Sequence, residues 1–488
     1  GINGIGTFRE LAAQGIDVLI IDQGDFCNGA SAASSHMLHG GLRYLENAEF
    51  RLVREALYER NLMLKNAPHY AIPAPTTIPI FRWFSGMLNA PLKFLRLLDR
   101  PGERGIVVIK IGLVFYDWFA RRQRVMPTHQ VFQRKKTLDR FPKFNPEIIG
   151  SATYYDAWMP SPERISIDLL LDAEAMHAGA RAINYMSLDS ASGDTVVLCD
   201  EKSGQKIEVK PRIVINAAGP WIDFANDAMQ RKTQFIGGTK GSHLVVDHPE
   251  LHEATQGNEI FFENEDGRIV LIFPLEDRVM MGSTDIPVNN PDEAVCTEEE
   301  VDYILGMVKK VFPSIEINHS HIVFKFCGVR PLPASDAATA GQISRDHSIR
   351  ILEPGSGVNF PIYSLVGGKW TTFRAFSEQT ADKVLAFLGK ARKVDTHHIA
   401  IGGGRDYPSS EKARQKWIAD LAQETKLPPE RVKILFERYG TRAADAARFI
   451  CAARGDRLLT HRADYSTREV MYIVQHEQVI HLDDFALR

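Results

Sequence analysis

Apolar residues along this chain switch repeatedly between a helical period and a strand period. Thr7 to Gln14 is an amphipathic run with Leu11, Ala12 and Ala13 as its apolar share, and Gly15 stands where a helix C′ residue is wanted. "IDVLIID" follows and predicts a buried parallel strand ending in Asp22. A charged helix is predicted from about Asn47 to Lys65, and "DLLLDAEAMHAGA" is helical. "TVVLCDEKSGQKIEVK" alternates about a Ser-Gly turn and predicts a hairpin. In "PRIVINAAGPW" the apolar strand Ile213 to Asn216 ends at a turn, Gly219-Pro220. From "GSHLVVD" through "RIVLIFPLEDRVMMGSTD" the pattern is periodic and β-like, and "FPIYSLVGGKWTTFRAFSEQTADKVLAFL" reads as strand, Gly-Gly turn and helix. From about Val394 the composition shifts: "KARKVDTHHIAIGGGRD" predicts a linker, and helical stretches follow to Arg488.

The opening stretch, "GINGIG", adds chemistry to this pattern. Gly1-x-x-Gly4 ahead of a helix lets backbone approach a pyrophosphate, and the helix N-terminus offers free N–H groups. Asp22 follows about twenty residues later, where a carboxylate can accept from ribose hydroxyls. A dinucleotide site is expected, with the first strand and first glycine of its fingerprint ahead of Gly1. A length of 488 residues predicts two or three domains. The net charge of −3 gives no global attraction to nucleic acid. Five scattered cysteines without a C-x-x-C pair argue against a disulfide framework or a zinc site, and no metal ligands are predicted. No apolar stretch is long enough to span a bilayer.

Beyond the first strand, Ser31, Ser34 and Ser35 supply hydroxyls and N–H groups in a loop. Gly40 and Gly41, beside His39, Arg43 and Tyr44, suggest backbone pressed against a flat ligand. Gly367 and Gly368 at a strand end, with Thr371 and Thr372 opening a helix, again place N–H donors beside a ligand. The segments "GINGIG", "SSHMLHGGLRYLE", "INAAGPW", "KGSH", "GSTD", "GVRPL", "SRDH" and "VGGKWTTFR" occur in this order. Together they closely resemble the FAD-dependent, quinone-linked glycerol-3-phosphate dehydrogenases, over nearly the whole chain. The resemblance implies an α/β fold: a glutathione-reductase-like FAD-binding Rossmann domain, an antiparallel-sheet substrate domain and a helical C-terminal domain. It implies FAD-binding segments at about 1–75, 150–225 and 325–393, a substrate domain interleaved at about 76–149 and 226–324, and a helical domain at 394–488. Cofactor contacts are expected from Gly1, Gly4, Asp22, Ser31, Ser34, Ser35, His36, Gly40, Gly41, Met186, Gly219, Gly367, Gly368, Thr371 and Thr372. His36 departs from the family, which commonly carries lysine there. The chain also ends at "DDFALR", where relatives usually continue.

The implied reaction removes a hydride from C2 of sn-glycerol 3-phosphate to non-covalent FAD, giving dihydroxyacetone phosphate, with a membrane quinone as final acceptor, in glycerol catabolism and respiration. Such chemistry needs a clamp for a phosphate dianion, a base and a dry pocket. Arg43, Arg330, Arg345 and Lys369 are expected to supply cations, with Tyr44 beside the substrate. His39 is the expected base, with Arg330 and Lys369 alternatively stabilising a developing alkoxide; Lys240 and His243 are placed at the rim. An oxygen-using glycerol-phosphate oxidase and a non-catalytic FAD-binding scaffold stay open, and a homodimer is an allowed assembly.

Between Ile80 and Arg124 nine basic residues face three acidic ones. Phe81, Phe84, Leu88, Leu92 and Leu95 recur at three- or four-residue steps, a pattern that suits a basic amphipathic helix on a membrane surface. A cytoplasmic enzyme bound peripherally to the cytoplasmic face of the inner membrane is expected.

Overall fold

The computed structural model describes residues 1–42, 49–83, 105–121, 124–264, 267–335 and 346–488. Its strands, in chain order, are β1 (Val18–Asp22), β2 (Met37–Leu38), β3 (Ile72–Ile80), β4 (Gln130–Gln133), β5 (Gly150–Trp158), β6 (Ala180–Asn184), β7 (Met186–Ser192), β8 (Thr195–Asp200), β9 (Lys206–Val209) and β10 (Val214–Asn216). There follow β11 (Thr239–Val246), β12 (Glu259–Glu263), β13 (Ile269–Leu275), β14 (Arg278–Gly282), β15 (Ile286–Pro287), β16 (Ile322–Arg330), β17 (Ser348–Leu352) and β18 (Ile362–Val366). The principal helices are α1 (Ile2–Ala13), α2 (Phe50–Asn66), α3 (Ile106–Ala120), α4 (Pro162–Met176), α5 (Glu298–Val311), α6 (Phe373–Phe387), α7 (Glu411–Thr425), α8 (Pro429–Tyr439), α9 (Ala443–Cys451) and α10 (Thr467–His476).

Helix α1 begins directly after Gly1, earlier than the run from Thr7 predicts. Ile2, Ile5, Phe8, Leu11 and Ala12 recur at helical spacing and are buried. Gly15, at φ 72°, closes the helix as expected. β1 then pairs in parallel with β6, Val18 opposite Ala180 and Asp22 opposite Asn184. The strand is half-buried, not buried on both faces as the apolar run suggests: Leu19 is 42% exposed, and Ile183, opposite Ile21 on β6, is 40% exposed. The other parallel pair, β10 with β18, lies in a separate sheet of order β10-β18-β17. α1 packs on both α6 and α4 and so bridges the two sheets.

A ten-stranded sheet runs β15-β11-β14-β13-β12-β3-β5-β2, with β16 on β11 and β4 on β5. It recruits β2, β5 and β16 from segments the sequence assigns to the cofactor region. β5 pairs with β3 over nine residues, from Ile72 opposite Trp158 to Ile80 opposite Gly150. Alternation reveals a strand but not its partner, so the segment boundaries cut across this sheet. β3 carries Pro73, Pro75 and Pro79, which bring no N–H; on its β12 side it pairs only at Thr76 and Thr77. The buried face of the sheet packs on α5 through Val301, Ile304, Leu305, Val308 and Val311. α5 is well specified locally: Thr297 and Glu300 form a capping box, three glutamates open the helix, and Lys309 and Lys310 close it.

Helices α7 to α9 have their own core around Val432, Leu435, Phe436, Ala446 and Ile450. The segment ahead of them, which the composition shift at Val394 marks as a linker, packs closely on both sides. Gly402, Gly403 and Gly404 are buried, and a side chain at any of them would collide with Asp168, the Tyr439 carbonyl or the Asn66 carbonyl respectively. Ion pairs join the same surfaces: Arg164 to Glu477 at 3.0 Å, Arg442 to Asp172 at 2.8 Å, and Arg488 to both carboxylate oxygens of Asp25 at 2.8 Å.

Candidate active site

The three glycine-bearing segments meet at the N-terminus of α1. Gly1 caps that helix without a side-chain acceptor. The Ile2 N–H donates to Ser31 Oγ at 3.0 Å, and the Gly1 nitrogen lies 3.4 Å from Asp22 Oδ2. Burial pushes the Asp22 carboxyl up. A Cβ on Gly4 would stand 3.0 Å from Ala217, two residues before Gly219 at φ 61°. From the third segment, Gly367 (φ 79°) accepts from Asn3 Nδ2 at 3.1 Å, and Gly368 (φ 94°) passes so near Asn3 that a Cβ would approach it to 2.6 Å. Trp370 Nε1 donates to the Ser31 carbonyl at 2.8 Å. The side chain of Met186 is buried in a core with Ile21, Leu188 and Val196.

The serine loop leads on to the large sheet. Ser34 Oγ accepts from the His36 N–H at 3.1 Å and so closes a turn; Ser35 beside it is half-buried. His36 adopts φ 57°, and its Nε2 lies 3.0 Å from the Ala32 carbonyl. Burial pushes its imidazole down, so this side chain is neutral. The Gly40 N–H donates to Tyr116 Oη and to Asp156 Oδ1, each at 3.0 Å, and a Cβ would collide with Leu57 and Tyr116. The protein's own α2 and α3 already require a glycine here. Gly41, at φ 73°, turns the chain. The carbonyl of His39 accepts from Thr371 Oγ1 at 3.2 Å. Lys369, half-buried, precedes the turn at Trp370–Thr372, and its charge reaches Glu55 and His347.

On the large sheet, the Arg330 guanidinium is held at three successive residues. Nη2 donates to Ser283 Oγ at 2.8 Å, and Nη1 to the Thr284 carbonyl at 3.2 Å and Asp285 Oδ1 at 3.1 Å. It crosses β11 at Gly241, where any side chain would collide with it. His243 lies on the same face. It is 4% exposed, stacks on Phe326 with ring centroids 5.0 Å apart, and is pushed down to about 3 by burial and then by Arg330 and His36. The sequence places His243 and Lys240 together at the rim, and the strand separates them. Lys240 points to the other face and is buried on Glu300 at 2.7 Å and the Val295 carbonyl at 2.6 Å. Residues three apart in a strand face opposite ways, so this was readable from "KGSH". Trp158, Met37, Phe273 and Phe326 form an apolar wall on the His243 side. Arg43, Tyr44 and Arg345 lie outside the described residues.

Several buried polar atoms along this path have no hydrogen-bond partner in the protein: Asn3 Oδ1, Thr372 Oγ1, His36 Nδ1 and His243 Nδ1. They run from the helix N-terminus at Gly1, past the Gly367-Gly368 turn, to Arg330. That sequence of groups fits a ligand with a pyrophosphate at one end and a ring with polar edges at the other, which is the chemistry of FAD. Among the described residues one cluster has metal-like spacing, Glu378, Asp395 and His397, elsewhere in the molecule. There His397 Nε2 faces Arg374 Nη2 at 3.2 Å and so accepts, which leaves Nδ1 as the donor to Asp395 at 2.5 Å.

Comparison with known proteins agrees with this geometry. Residues 1–372 match the family of FAD dependent oxidoreductases, and residues 394–488 match the C-terminal domain of alpha-glycerophosphate oxidase. The chain is 32% identical to a glycerol-3-phosphate dehydrogenase of Synechocystis, over 100% of this chain and 86% of the relative. It is 30% identical to the aerobic glycerol-3-phosphate dehydrogenase of Escherichia coli, over 99% of this chain and 91% of the relative. The fold is that of the glycerol-3-phosphate dehydrogenase from Bacillus halodurans solved with FAD, at a TM-score of 0.72 and 21% identity, covering 98% of this chain and 82% of that one. The chain therefore belongs to the FAD-dependent glycerol-3-phosphate dehydrogenase family.

Proposed function

We propose that the protein oxidises sn-glycerol 3-phosphate at C2 to dihydroxyacetone phosphate and delivers the electrons to a membrane quinone. The names of its relatives support the substrate. The observation that carries the reading is the fixed Arg330 fork beside a neutral, buried His243. Arginine presents two parallel donors, which match a phosphate or an alkoxide oxygen. Bound FAD supplies hydride acceptance. The protein orients the ester through Arg330, with Arg43 and Arg345 as further cations, Tyr44 beside them and Lys369 on the flavin side. The cofactor cradle is Gly1, Gly4, Asp22, Ser31, Gly219, Gly367 and Gly368. The C2 hydroxyl proton passes to an imidazole, His39 or His243; burial holds His243 neutral and penalises its imidazolium, so His243 can take the proton only where the dianionic ester offsets that penalty. Anaerobic bleaching of the flavin by glycerol 3-phosphate tests the reading, and a flavin that stays oxidised overturns it. Loss of bleaching in His39→Ala or in His243→Ala identifies the acceptor.

The membrane part of the proposal rests on α3. Ile111, Val114, Phe115 and Trp118 follow the i, i+3, i+4, i+7 pattern and are each about half exposed, while Ile109, Leu113 and Tyr116 on the other side are buried. Exposed Lys110, Arg121 and Arg124 flank the apolar face, and Trp83 is exposed nearby in sequence. Among the described residues no helix is long and apolar enough to cross a membrane. Such a helix suits lying in the interface of an anionic bilayer, where quinone is dissolved. The segment Phe84 to Arg100, on which the sequence places its amphipathic helix, lies outside the described residues. A second reading, oxygen as acceptor, is favoured by the C-terminal match to a glycerophosphate oxidase. Stoichiometric peroxide from pure enzyme without quinone would select it.

A further inference from the structure

Arg330 is fixed from the far side of the sheet. Its guanidinium rests on residues 283–285, a loop between β14 and β15. That loop is itself tied down by a single carboxylate. Thr284 Oγ1 donates to Glu300 Oε1 at 2.6 Å and accepts from the Ser242 N–H at 2.9 Å. Ser242 Oγ donates to the same oxygen at 2.9 Å. Glu300 Oε2 accepts from Lys240 Nζ at 2.7 Å and from the Thr297 N–H at 3.0 Å.

Glu300 is 3% exposed, and its partner Lys240 is 7% exposed. A capping box needs a glutamate at this position but not one that also gathers two hydroxyls and an ammonium from another element. The additional donors all come from β11 and the loop after β14, the two segments that the Arg330 guanidinium touches or crosses. Lys240 and Ser242 face Glu300, whereas Gly241 and His243 face Arg330, as the alternation of β11 requires. Thr284 is the link: its hydroxyl belongs to the Glu300 side and its carbonyl to the Arg330 side.

We infer that Glu300 is a positioning residue for Arg330, acting through Thr284 to fix the fork that receives the substrate's anionic group. The inference rests on the reading of Arg330 as a substrate contact. A charged hub of this kind fixes geometry because every donor aimed at it is buried and would be costly to leave unmade.

The test uses flavin-loaded enzyme and glycerol 3-phosphate, comparing Glu300→Gln, Thr284→Val, Arg330→Lys and the double Thr284→Val/Arg330→Lys. Thr284→Val keeps the shape, changes no charge, and decides the matter if Glu300→Gln does not fold around Lys240. Thr284→Val is expected to lower kcat/KM about tenfold, as loss of an outer-shell partner does. The loss falls in the same constant, KM or kcat, that Arg330→Lys changes, while flavin content stays near wild type and the unfolding temperature falls by no more than a few degrees. The double variant is expected to be no worse than Arg330→Lys alone. Wild-type kcat/KM in Thr284→Val, or losses that simply multiply in the double, overturns the inference while leaving Arg330 in place. Wild-type kcat/KM in Arg330→Lys sinks the reading of Arg330 itself.

Discussion

Thr371 Oγ1 donates to the carbonyl oxygen of His39 at 3.2 Å, a bond between residues 332 positions apart. It joins the loop after β2 to the turn that precedes α6, the segments that carry His39 and Lys369. Thr371 is 1% exposed, so water cannot replace the bond. Thr371→Val keeps the shape and removes the donor. Its unfolding free energy in urea is expected to drop by about 1 kcal/mol. Flavin content should hold while anaerobic reduction by glycerol 3-phosphate slows. An unchanged reduction rate would show that this tie does not set the geometry of the site.

Gly40 and Gly241 look alike in sequence and differ in what they accommodate. A Cβ at Gly40 meets Leu57 and Tyr116; a Cβ at Gly241 meets the Arg330 guanidinium. Gly40→Ala is thus overpacking of a core and should cost about 1–3 kcal/mol of stability. Gly241→Ala displaces the end of a flexible side chain and should leave the melting temperature nearly unchanged while weakening substrate use. Thermal unfolding and kcat/KM, measured on both, are expected to move in opposite patterns.

These two glycines also show what the sequence could and could not tell. The strand–helix periods placed α1, β1, the β8–β9 hairpin, β10, β11 and α6 at or near their positions, because burial of one face writes itself into the local pattern. Gly40 was read as touching a ligand because glycine signals close approach without naming the neighbour. That neighbour, Tyr116, is 76 residues away. The same holds for β5 and β16, whose partners lie in segments distant along the chain, and for Gly402–Gly404, in a stretch that reads as a linker and is in fact packed against Asp168 and the backbone at Tyr439 and Asn66. Arg330 and His243 lay within legible motifs. Glu300 did not, since a glutamate at the third position of a helix has a sufficient local explanation.

His69 offers a proton-linked prediction away from the site. It lies against Tyr70, with ring centroids 3.9 Å apart, and Tyr407; neither ring nitrogen has a hydrogen-bond partner. Burial, with the charges of Arg164 and Arg442, pushes it down from 6.5 to about 3. The unfolded chain therefore binds a proton between pH 3 and 6.5 that the folded protein does not. Stability falls as pH falls through that window, by about 1.4 kcal/mol per pH unit from this residue. His69→Phe should flatten the slope by that amount in denaturant titrations between pH 6.5 and 4.5. The same slope in both proteins would place the acid sensitivity elsewhere.

Arg164 joins α4 to Glu477, with both nitrogens of its fork engaged at 3.0 and 3.1 Å. Both side chains are nearly inaccessible. Removing one partner strands a buried charge, at about 3–5 kcal/mol. Arg164→Met should be strongly destabilised, and Arg164→Met/Glu477→Leu less so than Arg164→Met alone. Wild-type unfolding is expected as one calorimetric transition, because this pair and the packed glycine run couple residues 394–488 to the rest. Two resolved transitions would refute that coupling.

The exposed side of α3 makes the membrane proposal separable from folding. Ile111, Val114, Phe115 and Trp118 lie outside the core that Ile109, Leu113 and Tyr116 build; Phe115 and Trp118 meet its edge at Phe119. Replacing the four by serine removes apolar area only from the solvent side, so the fold, the flavin and turnover with a soluble dye should survive. Each buried side chain is worth about 1.5–3 kcal/mol on transfer, so the four together should dominate binding to a bilayer. Sedimentation with anionic liposomes is expected to fall to background in the serine variant, and quinone reduction in liposomes to fall with it. Binding of the wild type should also weaken with salt, because Lys110, Arg121 and Arg124 act through screened attraction. A serine variant that sediments as wild type would move the membrane contact away from α3, and wild-type quinone turnover in that variant would separate electron delivery from this surface.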